Sequence, residues 1–284
     1  MFELDQIDLG LASVEGVTMP LLKRSAAEEM LVEASGPDFL EALARGLRVI
    51  ETFNADRKRL TLSDIARLVD LPRASVRRTL HTLVQLGYAE ASDRFYRLTP
   101  RVLNFARAYL QSNAISEIVQ PAIERLGAEI GESCSAAVLD GEDIVMIAQA
   151  SPKRIIPVSD QIGFRLPAIA TSLGRVLLAA LDDRQLDKFL AQVQPLKLTK
   201  FTTTDKTALR KAIIKVRHDG YALADQEVEI GFRSLALPLK KLDGRTIAAL
   251  NIGVHSERTP LKAMHGRFFP KLRVLADDLQ LQLI

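Results

Sequence analysis

A single cysteine, Cys134, among 284 residues leaves no disulfide framework and no multi-cysteine zinc site, and it fits a reducing compartment. Histidine is nearly as scarce. His81, His218, His255 and His265 form no close pair at metal-ligand spacing and no H-E-x-x-H occurs, so no metal and no cofactor are expected. No apolar run approaches the roughly 18–20 residues of a membrane helix. The start, Met1 to Asp5, is acidic and lacks the basic opening of a secretory signal, which points to a cytoplasmic protein without a membrane partner. The G-x-S-x-G elbow, the P-loop and the G-x-G-x-x-G turn are also missing. Ser172-Leu-Gly-Arg175 has arginine where an S-x-x-K hydrolase has a lysine able to lose its proton, and guanidinium is no base at neutral pH. Cys134 stands beside Ala136 and Ala137 in an apolar run, the setting of a structural thiol. No catalytic set emerges. A hydrolase or transferase acting on a small acid is the alternative of another class, and a nonspecific architectural DNA-binding protein is a further one.

The length suggests two domains at about 150 residues each. With 48% apolar and 26% charged residues, the composition is that of an ordinary globular protein. The net charge of +3 is unevenly spread. Residues 1–39 hold 8 acidic and 2 basic side chains, residues 40–113 hold 7 and 13, and residues 114–284 hold 20 and 23. A basic segment beside a near-neutral larger one suggests a polyanion-binding module joined to something else.

Residues 1–37 read as a flexible acidic tail, with a short helix near Ser25–Ala34. Order begins at Asp38, a candidate cap for a helix burying Leu40, Leu43, Ala44, Leu47 and Ile50. Thr61-Leu-Ser-Asp64 has capping-box spacing and starts a second helix, which Pro72 ends. A third helix runs to about Leu86 and stops at Gly87. A hairpin follows, Tyr88–Ala91 and Phe95–Leu98, and then a helix over Arg101–Ser112. Beyond Ile115 come a helix ending at Gly131, strands around Cys134–Leu139 and Ile144–Ala150, and a strand near Arg154–Val158. Helices follow near Thr171–Leu181, Asp183–Gln192 and Asp205–His218, then strands near Tyr221–Gln226, Ser234–Leu239 and Ile247–Val254, and a closing helix from Pro260. Adjacent hairpins with helices grouped between them argue for an α+β domain around an antiparallel sheet.

Helix, turn, helix and hairpin within a basic segment is the layout of a winged helix-turn-helix. Projected at about 100° per residue, the third helix clusters Val76, Thr79, Leu80, Leu83 and Val84 on one side. Ala74, Arg78, His81 and Gln85 fall opposite, with Ser75 and Arg77 at the edges. Arginine and glutamine suit base edges in a major groove. Arg73 and the free amides at the helix start suit phosphate, Arg94 and Arg97 lie in the wing, and Arg57-Lys-Arg59 is placed to steer association. Thr61 and Ser63, at the start of the second helix, complete the candidate DNA-binding set.

Leu43-Ala-Arg-Gly-Leu47, Leu60-Thr-Leu-Ser-Asp-Ile-Ala66, Pro72-Arg-Ala-Ser-Val-Arg-Arg78 and Leu86-Gly-Tyr88 closely resemble the DNA-binding domain of IclR-type bacterial regulators. Leu166-Pro-Ala-Ile-Ala-Thr-Ser-Leu-Gly-Arg175, Asp219-Gly-Tyr221, Glu229-Ile-Gly231 and Ala248-Ala-Leu-Asn251 resemble that family's GAF-like effector-binding domain. The resemblance covers residues 38–284. It implies a winged helix-turn-helix over 38–99, a linker helix over 100–113 and an effector-binding domain over 114–284. Within the family the chain is most similar to regulators of the protocatechuate branch, which sense protocatechuate, 4-hydroxybenzoate or β-ketoadipate. A regulator of another small carboxylate, such as glyoxylate or pyruvate, is the alternative. The resemblance places pocket walls at Ile155, Leu166, Thr171, Ser172, Leu173, Asp225, Phe232, Ser234, Asn251 and Gly253. The helix start at Thr171-Ser172-Leu173 offers amides and hydroxyls to a carboxylate, and a dicarboxylate would favour a cation, Arg165 or Arg233. The expected partners are a pseudo-palindromic duplex, a small organic acid and a second subunit against Val102, Phe105 and Tyr109, in a homodimer or dimer of dimers.

Overall fold

The computed structural model describes residues 38–54, 56–112, 114–151 and 162–283. The tail expected over 1–37 and the strand expected near Arg154–Val158 lie outside the described residues. The chain divides into two compact units between Ala106 and Arg107.

The first unit holds α1 (Glu41–Glu51), β1 (Leu60–Thr61), α2 (Leu62–Leu68), α3 (Arg73–Gln85), β2 (Ala89–Ser92) and β3 (Phe95–Leu98). Its antiparallel sheet has the order β1-β3-β2. Thr61 caps α2 in a capping box with Asp64, as their spacing predicts. Thr61 Oγ1 accepts from Asp64 N at 3.2 Å and Asp64 Oδ2 accepts from Thr61 N at 3.2 Å. Val49, Ile65, Val76, Leu80 and Leu83 form the centre of the core. Gly87, at φ 76°, ends the passage out of α3 into β2.

The first helix departs from expectation. Asp38 does not cap it. The helix starts from the Leu40 carbonyl, which accepts from Leu43 N and Ala44 N, and no side chain caps it. Leu40, Leu43 and Leu47 are 71%, 60% and 46% exposed, whereas Val49 is fully buried. At about 100° per residue Val49 projects opposite Leu40, so the flank that meets α3 is the reverse of the leucine stripe. After a short 3-10 turn (Pro100–Val102), α4 (Leu103–Ser112) buries none of its residues. Within the first unit, Phe105 stacks on Tyr88 at 5.2 Å between ring centroids.

The second unit is built on a six-stranded antiparallel sheet of order β6-β5-β4-β9-β8-β7. The strands are β4 (Ser133–Asp140), β5 (Asp143–Ala150), β6 (Arg165–Pro167), β7 (Ala222–Asp225), β8 (Phe232–Lys240) and β9 (Thr246–His255). The helices are α5 (Ala114–Ile130), α6 (Ser172–Ala179), α7 (Asp183–Gln192), α8 (Lys206–Asp219), α9 (Leu261–Ala263) and α10 (Phe269–Gln280), the last two joined by a π-turn over Met264–Phe268. Strand alternation divides the core in two. Cys134, Leu235, Leu237, Leu250 and Ile252 pack with α5 and α10 on one face. Ala137, Ala222, Ala236 and Ala249 pack under α6, α7 and α8 on the other. The small residues of that second face let α6 lie close to the sheet, and every residue of α6 is buried. Among the described residues no helix is long and apolar enough to cross a membrane, and no three metal-ligating side chains gather.

Cys134 is fully buried on the α5 face, and burial, with a smaller push from the Glu132 charge, drives its thiol up to about 12. Since thiolate is the reactive form, native protein at pH 8 is expected to resist iodoacetamide and to alkylate fully in denaturant. Mass spectrometry reads the difference; full labelling of the native protein would contradict the burial.

Candidate functional site

Two surfaces carry chemistry, one in each unit. In the first, α3 turns Val76, Leu80 and Leu83 inward. Arg73, Ala74, Arg77, Arg78 and His81 are exposed, and Ser75 is half-buried. Ser63 is exposed on α2, while Thr61 is half-buried and spends its hydroxyl on Asp64, at 2.7 Å from Oδ2. At the β2–β3 turn, the Arg94 guanidinium lies 5.2 Å from the Phe95 ring centroid and that of Arg59 lies 5.4 Å from it. Both cations are thereby held against the Phe95 ring. Arg97 is engaged differently, in a cross-strand ion pair with Glu90.

In the second unit a cavity of about 560 Å³ opens on the α6 face of the sheet. Ser133 and Ser135 of β4, Asn251 and Gly253 of β9, and Phe232 and Ser234 of β8 contribute to its wall. Ladder register explains the grouping: Ser135 pairs with Asn251, and both Ser133 and Ser234 pair with Gly253. Ile144, Met146, Leu166 and Leu173 add an apolar side. Thr171 lines the cavity and caps α6, its Oγ1 accepting from Gly174 N at 2.9 Å. The first amides of α6 have no intrahelical acceptor, so the helix presents its positive end there. Ser172 is fully buried and its Oγ lies 2.7 Å from Ser234 Oγ. Asn251 is 7% exposed, and its Oδ1 has no hydrogen-bond partner among the described residues. A buried, unpaired carboxamide oxygen costs about 1–3 kcal/mol, which a donor on a bound molecule offsets. The exposed charges on the wall, Glu229, His255 and Arg258, mark its open edge.

Of the expected pocket residues, Leu166, Thr171, Leu173, Phe232, Ser234, Asn251 and Gly253 line this cavity, and Ser172 reaches it through Ser234. Ile155 lies outside the described residues. Asp225, Arg165 and Arg233 do not line it. Each neighbours a wall residue along its strand, so alternation turns its side chain to the opposite face. There Arg233 binds Asp225 at 2.8 and 3.0 Å and donates to Thr259 O. Arg165 binds Asp140 at 2.6 Å and Asp143 at 3.2 Å. Among the described residues, the arginine that does line the cavity is Arg258, in a charge-dense loop after β9 whose sequence carries no periodic signal. Ser135 was also missed; its signal is the alternation Ser133-Cys-Ser135 in an otherwise apolar strand.

Residues 42–93 match the family described as the IclR helix-turn-helix domain, and residues 107–281 match the one described as the bacterial transcriptional regulator IclR C-terminal domain. The Pca regulon regulatory protein of Pseudomonas putida is 40% identical over 265 residues, spanning 93% of this chain and 91% of that protein. The p-hydroxybenzoate hydroxylase transcriptional activator of Acinetobacter baylyi is 33% identical over 260 residues, spanning 90% and 94%. Among solved structures, an IclR homologue from Microbacterium hydrocarbonoxydans complexed with 4-hydroxybenzoate superposes with a TM-score of 0.71 at 27% identity, covering 85% of this chain and 98% of that one.

Proposed function

The chain belongs to the IclR family of bacterial transcriptional regulators, and from that premise we propose that its second-unit cavity senses a small organic acid of aromatic catabolism and thereby adjusts how its first unit binds DNA. The observation that carries the reading is the cavity's make-up: Ser135, Ser234 and the unpaired Asn251 oxygen beside the start of α6, facing an apolar side that suits a ring. The relative named for the Pca regulon and the homologue solved with 4-hydroxybenzoate support an effector of that pathway, 4-hydroxybenzoate, protocatechuate or β-ketoadipate. Calorimetric titration with these three acids tests it. Saturable one-site binding of one of them, without product, is the expected result. Binding of glyoxylate or pyruvate instead would move the effector outside the aromatic pathway.

The DNA partner fits the outward arginines of α3, and a DNA-bound regulator acts in the cytoplasm. The division into a DNA-binding domain over 38–99, a linker over 100–113 and an effector domain over 114–284 follows the same reading. In the first unit, the exposed Leu40, Leu43 and Leu47 of α1 and, separately, Leu103 and Phe105 of α4 are apolar surface suited to a second copy. Such pairing would set two α3 helices on a pseudo-palindromic site, as a homodimer or a dimer of dimers.

Arg78 is exposed at the middle of α3 and reads bases in this assignment. Arg78→Ala is expected to cost about 1–3 kcal/mol on a duplex selected by the native protein from a random pool, with little change on unselected DNA. Fluorescence anisotropy on both duplexes measures it. Equal losses on the two would make Arg78 a phosphate contact.

A further inference from the structure

Of the three carboxylates on the cavity wall among the described residues, Glu132, Glu227 and Glu229, only Glu227 is buried, at 8% exposure. Its partner is Arg175 of α6, 6% exposed and itself not part of the wall. Arg175 Nη1 and Nη2 donate to Glu227 Oε1 and Oε2 at 2.6 Å each, and Nε donates to Ile169 O at 3.0 Å. Thr203 N donates to Glu227 Oε2 at 3.1 Å, and Thr202 Oγ1 donates to the Glu227 carbonyl at 2.6 Å. Glu227 thus ties its segment to α6 and Thr203 N through its carboxylate and to Thr202 through its carbonyl, while Arg175 also holds the turn before α6.

That segment, Gln226 to Gly231, is closed at its base. Gln226 N donates to Phe232 O at 2.8 Å, and Gly231 N donates to Gln226 Oε1 at 3.1 Å. It has no place in the sheet, yet five consecutive residues, Glu227 to Gly231, line the cavity. A buried ion pair adds little net stability over an apolar pair of similar volume. What a bidentate arginine–carboxylate contact adds is a defined distance and angle. Here that geometry sets where a cavity wall stands.

We propose that Arg175 is a positioning residue of the ligand cavity: through Glu227 it holds the 226–231 segment against the bound molecule and so governs how tightly that molecule is kept. The proposal rests on reading the cavity as the effector site.

The test compares the full-length native protein, Arg175→Lys and the double variant Arg175→Met/Glu227→Leu. Three measurements are made: thermal midpoint, amide exchange over 226–232, and calorimetric affinity for 4-hydroxybenzoate. The apolar pair removes both charges together but leaves Ile169 O and Thr203 N without these partners, so the double variant is expected to fold with a modestly lowered midpoint. Exchange over 226–232 should rise at least tenfold and affinity should fall at least tenfold. Lysine keeps the charge but not the fork, so Arg175→Lys should fall between the two. Unchanged exchange in a folded double variant would overturn the proposal, and so would faster exchange with unchanged affinity. Should the double variant not fold, Arg175→Lys decides on the same readouts. If the native protein does not bind 4-hydroxybenzoate, the effector reading fails for that acid, and exchange over 226–232 still decides whether Arg175 positions the wall.

Discussion

Gly174→Ala is expected to cost the second unit at least about 3 kcal/mol, the upper end for overpacking a well-filled core. A Cβ at position 174 would lie 2.1 Å from the Ala168 carbonyl oxygen and 2.4 Å from the Ala168 Cα. Both are backbone atoms, so no rotamer change relieves the overlap. Either α6 lifts away from the 3-10 turn over Ala168–Ala170 or the turn unwinds. Each outcome disturbs Thr171 at the cap and Arg175 one residue on. For a unit of this size, about 3 kcal/mol lowers the thermal midpoint by roughly 6–12 °C. Differential scanning calorimetry checks the prediction, and an unshifted midpoint would mean that α6 is not seated this closely.

Gly253→Ala should leave the fold standing and remove the ligand response. The added Cβ would meet the Phe232 ring, 2.6 Å from Cζ and 2.8 Å from Cε2. A ring edge can move where a carbonyl cannot. Gly253 and Phe232 both line the cavity, so the ring's displacement takes up space a ligand would occupy. Affinity for the effector should fall at least tenfold, which corresponds to about 1.4 kcal/mol. Pairing it with Phe232→Leu removes the clashing ring atoms and should recover much of the loss. Calorimetric titration of the native protein and both variants makes the comparison. Equal affinity in all three would show that the ring does not bound the ligand's space.

Gly253 meets Phe232 from the neighbouring strand, and Gly174 meets Ala168 because α6 folds back on the turn before it; such close approaches mark the limit of what the residues alone could say. The capping box at Thr61 and Asp64, the stop at Gly87 and the two faces of α3 were legible because each is set by neighbours within a few positions. The pairing of β4 with β5 was equally legible from the Asp140-Gly141 turn between two apolar runs. The family resemblance pointed to the cavity region, and seven of the ten wall positions it suggested line the cavity. Asp225 is a candidate through the family resemblance, and Arg165 and Arg233 are candidates because a dicarboxylate would favour a cation. Strand alternation aims them elsewhere. The leucines of α1 show the same limit in reverse. Their spacing established an apolar stripe, but which side of the helix the core covers depended on how α1 meets α3.

By itself, then, the chain's order of residues determined most of the helices and turns, the basic outward face of α3 and the family, all of which rest on local chemistry or on motifs read in line. Only the tertiary structure decided the rest. It brought Arg175 to Glu227 across 52 positions, set Ser135 beside Asn251 and pressed Phe232 onto Gly253. Those contacts depend on strand register and on the depth at which α6 sits. Register and depth follow from packing the whole sheet between its helices, which no short stretch of sequence encodes.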